Sequence, residues 1–298
     1  MSGGKGMSTI CVGDLVVRKS HGGDIVFKVT AIFQDDISQQ EHCLLKGMHM
    51  RLLADAPMDD LEKVSAEDLR NELVRMEGLY SDSLRRVMQR RSLERAAVEL
   101  NRSEHSKKYH FFDIPGRVLH LDGDEEYLRM CLKTYAQLNI EAIGRHVEEA
   151  KQPETVVELL KEVRPDILVV TGHDALLGGS RDWQDINSYR NSKYYLQSVI
   201  NARLFEPSRD DLVIFAGACQ SFFEAILSAG ANFASSPTRI LIHAYDPVFI
   251  AEKVAFTPIN KVVDVSDALT ASVTGIEGVG GVETRGKFRL GMPKTPRK

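Results

Sequence analysis

Cysteines are few in this sequence, and no two of them stand at close spacing. Four occur in 298 residues, namely Cys11, Cys43, Cys131 and Cys219. None belongs to a C-x-x-C pattern of the kind found in zinc and redox sites. So sparse a content is not that of a disulfide scaffold, and we expect a reducing compartment. Reduced thiols leave a cysteine available as a nucleophile.

Long apolar runs are also missing. The first six residues, Met-Ser-Gly-Gly-Lys-Gly, do not contain the apolar core of a signal peptide. Apolar stretches such as residues 167–170 are far too short to cross a bilayer. We therefore expect neither a classical signal peptide nor a membrane span.

The chain has no basic excess, since its formal net charge is −4 at pH 7. Proteins that coat nucleic acids usually carry such an excess, so nucleic acid is not the expected partner. Most of the histidines show no metal-ligand spacing, and we expect neither a metal nor a cofactor. With 43% hydrophobic and 27% charged residues, the composition is that of a globular protein with one large domain or two unequal ones.

Residues 1–56 are predicted to form a small β-barrel of the SH3 or KOW type. Residues 25–33 alternate, with apolar side chains from Ile25 to Phe33 on one face, and a His-Gly-Gly-Asp turn precedes them. Several short strands in so short a segment are typical of such barrels. A docking module is the favoured interpretation, and nucleic-acid binding is the alternative.

Residues 57–108 are predicted to be a helical linker. A capping-box-like start at Ser65–Asp68 precedes apolar residues at helical spacing. This pattern predicts one long helix, or two that are broken near Gly78. The basic excess in residues 85–108 indicates a solvated helix face, with a docking surface for an acidic partner as the alternative.

Residues 109–298 alternate between strand and helix patterns. The predicted strands include residues 116–121, 140–146, 166–171, 211–216 and 238–244, and residues 283–290 are expected to form a hairpin. This order predicts an α/β fold with a mostly parallel sheet flanked by helices. Active sites in such sheets lie at the carboxyl ends of the strands, which here point to Asp122, His173, Cys219 and Asp246.

Two of the buried strands lead directly into reactive side chains. Residues 167–172 precede His173, and residues 212–218 precede Cys219, which follows that histidine by 46 residues. Sequential parallel strands are often neighbours, so the imidazole and the thiol are expected at one edge.

Such a pair supports nucleophilic catalysis. A free thiol has a pKa of about 8.5 and is only slightly ionised at neutral pH. A helix beginning near Ser221 would favour the thiolate, and His173 would carry a proton to the leaving amine. The backbone amide of Cys219, with one from the turn after His173, would bind the developing oxyanion.

The motif Gly217-Ala218-Cys219-Gln220-Ser221 resembles the cysteine motif of caspases, whose histidine lies about 50 residues upstream. Caspase-like peptidases usually have His-Gly, whereas this chain has His173-Asp174. The resemblance therefore implies a caspase-like fold in which Asp174 supplies the second oxyanion amide.

A closer resemblance covers nearly the whole chain. It is carried by Val12-Gly13-Asp14, Arg18-Lys19-Ser20, Leu119–Asp124, Thr171–Ala175 and Gly217–Ser221. These segments are similar to the YabG peptidase family of spore-forming bacteria. The resemblance implies a cysteine endopeptidase with His173 and Cys219 as its dyad. It also implies spore coat and morphogenetic proteins as substrates, cleavage at arginine, and a place in the mother-cell cytoplasm beside the forming coat.

An arginine preference needs an acid in the specificity pocket, because a buried guanidinium requires a charge partner. We expect Asp246 in this role, with Asp174 as the alternative. Asp246 also precedes Pro247, as turn residues often do.

Other interpretations stay open at this point. His120 and His243 are rival bases, although each is better explained as a hydrogen-bonded sheet residue. The acidic Asp122-Gly123-Asp124 segment turns the chain, lines the site or binds a metal. The rival functions are a catalytically inactive binding module, spore-associated or nucleic-acid-binding, and a different α/β hydrolase or amidase that uses Cys219.

Overall fold

The computed structural model describes residues 9–35, 39–100, 111–177 and 182–292, apart from the side chains of 98–100. The chain divides into two compact units, Met1–Glu77 and Gly78–Lys298. The division into 1–56, 57–108 and 109–298 stays a prediction, and its second boundary lies outside the described residues.

The first unit contains a five-stranded antiparallel sheet in the order β4-β3-β2-β1-β5. Its strands are β1 (Leu15–Arg18), β2 (Phe27–Gln34), β3 (Glu41–Gly47), β4 (Leu53–Pro57) and β5 (Leu61–Lys63). Phe27 and Val29 are buried as the alternation predicts, but the register shifts between Val29 and Ala31. Because of this irregularity, Phe33 is 41% exposed rather than buried on the same face. The barrel class stays a prediction.

The linker pattern forms one helix, α1 (Ala66–Leu100), which continues through Gly78. Ser65 caps its first turn, because its hydroxyl accepts a hydrogen bond from the Asp68 amide at 3.1 Å.

The basic stretch on this helix is only partly a solvated face. Arg90 and Arg91 both form ion pairs with the buried Glu252, and the Arg91 guanidinium lies 3.3 Å from the centre of the Phe256 ring. Three more of the basic residues, Arg102, Lys107 and Lys108, lie outside the described residues. The internal ion pairs reduce the charge that this helix offers to an acidic partner.

The second unit is built on a six-stranded sheet in the order β12-β11-β10-β9-β7-β8. Its strands are β7 (Val118–Asp122), β8 (Ala142–His146), β9 (Ile167–Thr171), β10 (Val213–Ala216), β11 (Phe233–Ser235) and β12 (Val279–Gly281). A separate two-stranded sheet pairs β6 (Phe112–Ile114) with β13 (Arg289–Gly291). Five strands of the main sheet are parallel, and β12 is antiparallel to β11. The predicted mostly parallel α/β sheet is thus confirmed, and its caspase-like class stays a prediction.

Helices cover both faces of this sheet, as predicted. They are α2 (Glu125–Gln137), α3 (Gln152–Val163), α4 (Ser192–Phe205), α5 (Phe223–Ser228), α6 (Asp246–Phe256) and α7 (Val265–Ala271), and short 3-10 turns span Lys19–His21, Met58–Asp60, Glu149–Lys151, Ile186–Ser188 and Gly275–Glu277. Alternate residues of β9 enter two separate cores. Ile167 and Val169 pack with α2 and α6, whereas Leu168 and Val170 pack with α3 and α4. Burial on both sides explains the continuous apolar run of this strand.

Two strand predictions are wrong. Residues 238–244 form no strand, and the sheet position belongs instead to Phe233–Ser235. An apolar run indicates burial, and here the buried segment is irregular backbone. The predicted hairpin at residues 283–290 is also absent, because Arg289–Gly291 pairs with Phe112–Ile114.

Among the described helices, none combines the length and the apolar character that crossing a membrane requires.

We expect Leu168→Ala to lower the free energy of unfolding by about 2–5 kcal/mol, because it opens a cavity in the central strand. The matched variant Leu204→Ala changes a leucine that is 79% exposed, and we expect little change. Urea denaturation of both proteins measures the difference, and equal losses would contradict this account of the core.

Candidate active site

Three strand ends meet at the carboxyl edge of the main sheet. Asp122 pairs with Thr171, and Val170 pairs with Ala216, so β7, β9 and β10 lie side by side in register. The pairing continues past the strand end, since the Thr171 hydroxyl donates a hydrogen bond of 2.9 Å to the carbonyl of Gly217. The predicted adjacency of the two strands is confirmed. The aligned positions at this edge are Asp122, Thr171 and Gly217. Two residues after each of them come Asp124, His173 and Cys219, respectively.

The His173 ring is almost completely buried between two carboxylates. Its Nε2 lies 3.4 Å from Asp124 Oδ2, and its Nδ1 lies 3.6 Å from Glu149 Oε1. The ring of Tyr127 lies beside it, with 5.5 Å between the ring centres. The His173 carbonyl accepts hydrogen bonds from Asn191 Nδ2 and Tyr195 Oη. Both the ring and the backbone of this histidine are therefore held in place.

Glu149 was not among the residues that the sequence singled out. It begins the 3-10 turn after β8, and its Oε1 accepts a hydrogen bond of 2.8 Å from the His173 amide. Asp124 appeared only as part of an acidic turn, and it caps α2 by accepting from the amides of Glu126 and Tyr127. The end of β8 lies on the same sheet edge, and inspecting it as well would have found Glu149.

Cys219 is fully buried, and it takes part in no disulfide. Its sulfur accepts a hydrogen bond from the Ile242 amide at 3.2 Å and lies 3.6 Å from the Ile242 carbonyl oxygen. The neighbouring Gln220 amide donates to the Ile240 carbonyl at 3.2 Å. We call residues 236–243 the covering segment, because it contains Ile242, whose backbone contacts the thiol, and Ile240, whose carbonyl binds the next amide.

The helix predicted after Cys219 is present, and it begins two residues beyond the predicted start near Ser221. Helix α5 begins at Phe223 and has six residues, because Gln220 adopts a left-handed conformation with φ of 55°. Gly217 has φ of 109°, which glycine accommodates without strain. The thiol is thus placed by a tight turn, and the helix-dipole argument for the thiolate loses its basis.

Asp174 connects the histidine turn to the cysteine turn. Its buried carboxylate accepts hydrogen bonds from the amides of Ala175 and Asn191, and from the hydroxyls of Ser192 and Ser221. The Ser221 hydroxyl also accepts from the Ala218 amide at 2.8 Å. Burial raises the pKa of Asp174 to about 6, and these hydrogen bonds oppose that rise.

Asp246 is the first residue of α6, and its carboxylate is completely buried. It accepts hydrogen bonds from the amides of His243, Val273 and Thr274 and from the Thr274 hydroxyl. Burial raises its pKa, and the hydrogen bonds lower it in part. All of these donors belong to the protein itself. The role of Asp246 in a specificity pocket, which the sequence suggested, stays a prediction.

The rival histidines have structural partners. His120 lies on β7 with its Nδ1 3.3 Å from the Tyr135 hydroxyl, and the His243 Nδ1 accepts from the Tyr245 amide at 3.2 Å. These contacts suit hydrogen-bonded core residues.

One buried cluster has the composition of a metal site. The ligand atoms of His120, Asp122 and Cys131 all lie within 4.8 Å of one another. Imidazole, carboxylate and thiolate are zinc ligands. The three side chains also have partners within the protein: His120 lies 3.4 Å from Asp122, and the Cys131 sulfur lies 3.4 Å from the Ala244 carbonyl oxygen. The expectation of no metal stays a prediction.

Burial of the Cys219 thiol predicts slow alkylation. In the native protein we expect iodoacetamide to modify the exposed Cys11 first and Cys219 much later, because the covering segment excludes the reagent. Peptide mapping by mass spectrometry over time measures both rates, and the same reaction in urea serves as the control in which all four cysteines react. Equal native rates would show that the thiol is not covered in solution.

The pKa of Asp174 predicts a pH-dependent stability. Because the folded-state pKa is about 6 and the ordinary value is 3.8, the protonated carboxyl stabilises the fold below about pH 4, and this contribution is lost as the pH rises through 6. One pKa unit corresponds to about 1.4 kcal/mol, so the loss is of the order of 3 kcal/mol. We expect Asp174→Asn to lack this component. Thermal unfolding between pH 4 and 6 compares the two proteins, and parallel curves would contradict it.

Comparison with known proteins places the chain in a family. The model of the YabG peptidase U57 family matches residues 11–293. The sporulation-specific protease YabG of Bacillus subtilis (strain 168) is 42% identical over 283 residues, which cover 95% of this chain and 97% of that protein. No solved structure matches the chain. The match over nearly the full length, together with the identity to a curated relative, shows that the chain belongs to the YabG peptidase U57 family.

Proposed function

We propose that this chain is a cysteine endopeptidase of sporulation that uses His173 and Cys219 as its catalytic dyad. The observation that carries the proposal is the shared sheet edge: both residues follow neighbouring parallel strands at equivalent positions. Membership of a peptidase family supports a hydrolytic role for this edge. The relative from Bacillus subtilis is named as a sporulation-specific protease, which supports the biological setting.

The proposed chemistry begins with proton transfer from the Cys219 thiol to His173. The thiolate attacks the peptide carbonyl, and His173 returns the proton to the leaving amine, so that a thioester forms and the peptide bond breaks. Water then cleaves the thioester, with His173 as the base. The backbone amides of Cys219 and Asp174 donate to the oxyanion.

Catalysis by this pair requires a change from the conformation described above. The Cys219 sulfur is buried against Ile242, and the Nε2 of His173 faces Asp124. A peptide reaches the sulfur only when the covering segment moves away. Hydrogen bonds between catalytic groups commonly tighten only when substrate is bound.

The substrates that we propose are spore coat and morphogenetic proteins, cleaved at arginine in the mother-cell cytoplasm beside the forming coat. This part of the proposal follows from the family resemblance. A buried guanidinium needs a carboxylate partner, for which Asp246 is the first choice and Asp174 the second. Either would have to exchange present hydrogen bonds for contacts with the substrate.

We expect Cys219→Ala to abolish cleavage, because the nucleophile is removed, and His173→Ala to lower kcat by roughly 10²- to 10⁴-fold. Cleavage of a fluorogenic peptide amide with arginine before the scissile bond measures both effects. Cys11→Ser and His21→Ala are the matched controls, since both residues belong to the first unit and the proposed dyad belongs to the second. Full activity of folded Cys219→Ala would overturn the proposal.

A further inference from the structure

Glu149 makes two contacts with the same residue. Its Oε1 accepts the hydrogen bond from the His173 amide at 2.8 Å and lies 3.6 Å from the His173 Nδ1. Its side chain is only 15% exposed. Within the described residues, every hydrogen bond and ion pair of this carboxylate is with His173. A single oxygen therefore faces both the backbone and the ring of the proposed base.

Two glycines make room for this carboxylate. A Cβ atom at Gly172 would lie 2.3 Å from Glu149 Oε1, and one at Gly123 would lie 2.2 Å from the same oxygen. Neither glycine has a positive φ, so backbone conformation does not require glycine at these positions. The requirement is space, because a methyl group at either position would push the carboxylate away from His173. The two turns that carry these glycines thus form a slot that is fitted to Glu149.

Asp124, on the other side of the ring, has a separate structural task. Its Oδ1 accepts hydrogen bonds from the amides of Glu126 and Tyr127 at 2.9 and 3.0 Å, which caps helix α2. A substitution at Asp124 would therefore disturb the helix as well as the histidine. In the part of the chain that the structure describes, the cap position of the 3-10 turn that Glu149 begins belongs to Glu148, and the Glu149 carboxylate bonds to the His173 amide instead. Its contacts point to the histidine alone.

We infer that Glu149 is the positioning residue of His173, an inference that rests on the proposed peptidase function. An acceptor beside Nδ1 favours the proton on that nitrogen, and Nε2 can exchange a proton with Cys219 once it is released from Asp124, which lies 3.4 Å away in this conformation. When His173 has taken the thiol proton, the carboxylate also stabilises the positive charge of the ring. In this inference Glu149 acts only through His173.

The test compares Glu149→Gln with Glu149→Asp and with a matched control, Glu148→Gln. Glu148 is the neighbouring acid, and its side chain pairs with Lys151 on the surface. We expect Glu149→Gln to lower kcat at least about tenfold with little change in KM, and by less than the ~10⁴-fold loss seen when the acid of a Ser-His-Asp triad becomes an amide. Glu149→Asp restores part of kcat, and Glu148→Gln behaves as wild type.

Gly172→Ala provides a second, independent variant. It keeps the charge of Glu149 but moves the carboxylate out of the slot, so the same loss of kcat is expected in a protein that is still folded at the assay temperature. If Glu149→Gln does not fold, Gly172→Ala still tests whether His173 needs the Glu149 carboxylate beside it. The measurement is hydrolysis of the arginyl peptide amide, with thermal unfolding of each protein alongside.

Cys219→Ala in the same assay separates the two possible failures. If Cys219→Ala is inactive while Glu149→Gln and Gly172→Ala cleave at the wild-type rate, the inference is overturned and the peptidase proposal stands. If folded Cys219→Ala cleaves like the wild type, the proposed function fails, and the role of Glu149 fails with it. A loss of kcat that Glu149→Asp does not relieve, with a lowered melting temperature in every Glu149 and Gly172 variant, would assign Glu149 a structural role only.

Discussion

The register between neighbouring parallel strands is the constraint on which the site depends. Since side chains alternate in direction along a strand, a slip of one residue in β9 or β10 would turn its buried residues to the opposite face and displace the turns that carry His173 and Cys219. The apolar residues of β9 prevent such a slip, because they fill cores on both faces. The bond from Thr171 to Gly217 then carries the register into the turns. Packing in the middle of the sheet thus positions polar groups at its edge.

Buried carboxylates hold the irregular segments at this edge. Asp174 and Asp246 each accept four hydrogen bonds, and each joins parts of the chain that are distant in sequence. Desolvation opposes the charged form of both, which is why their pKa values rise despite these donors. The loops that surround the thiol are therefore held by polar groups that water does not reach, and the loss of one donor leaves an acceptor unpaired at a cost of about 1–3 kcal/mol.

The sequence predicted the sheet well because its central strands are continuous apolar runs, as in residues 167–170. It also identified the two strand ends that carry His173 and Cys219. It failed at residues 238–244, whose apolar side chains are buried in irregular backbone, because an apolar pattern does not distinguish a strand from a covering segment. It did not find Glu149, since a glutamate in a turn resembles any surface acid. Only the fold brings the glycines at 123 and 172 to either side of it.

In the proposed mechanism, the sulfur that Ile242 covers has to be uncovered before a peptide can reach it, so only an open form would be competent. When the competent fraction is small, the apparent affinity for a ligand is the intrinsic affinity multiplied by that fraction. Substitutions within residues 236–243 would then alter turnover by changing how often the site is open, without touching any reacting atom. Solution conditions that loosen this segment would act in the same way, so the activity of the protein becomes a measure of the mobility of one short stretch of backbone.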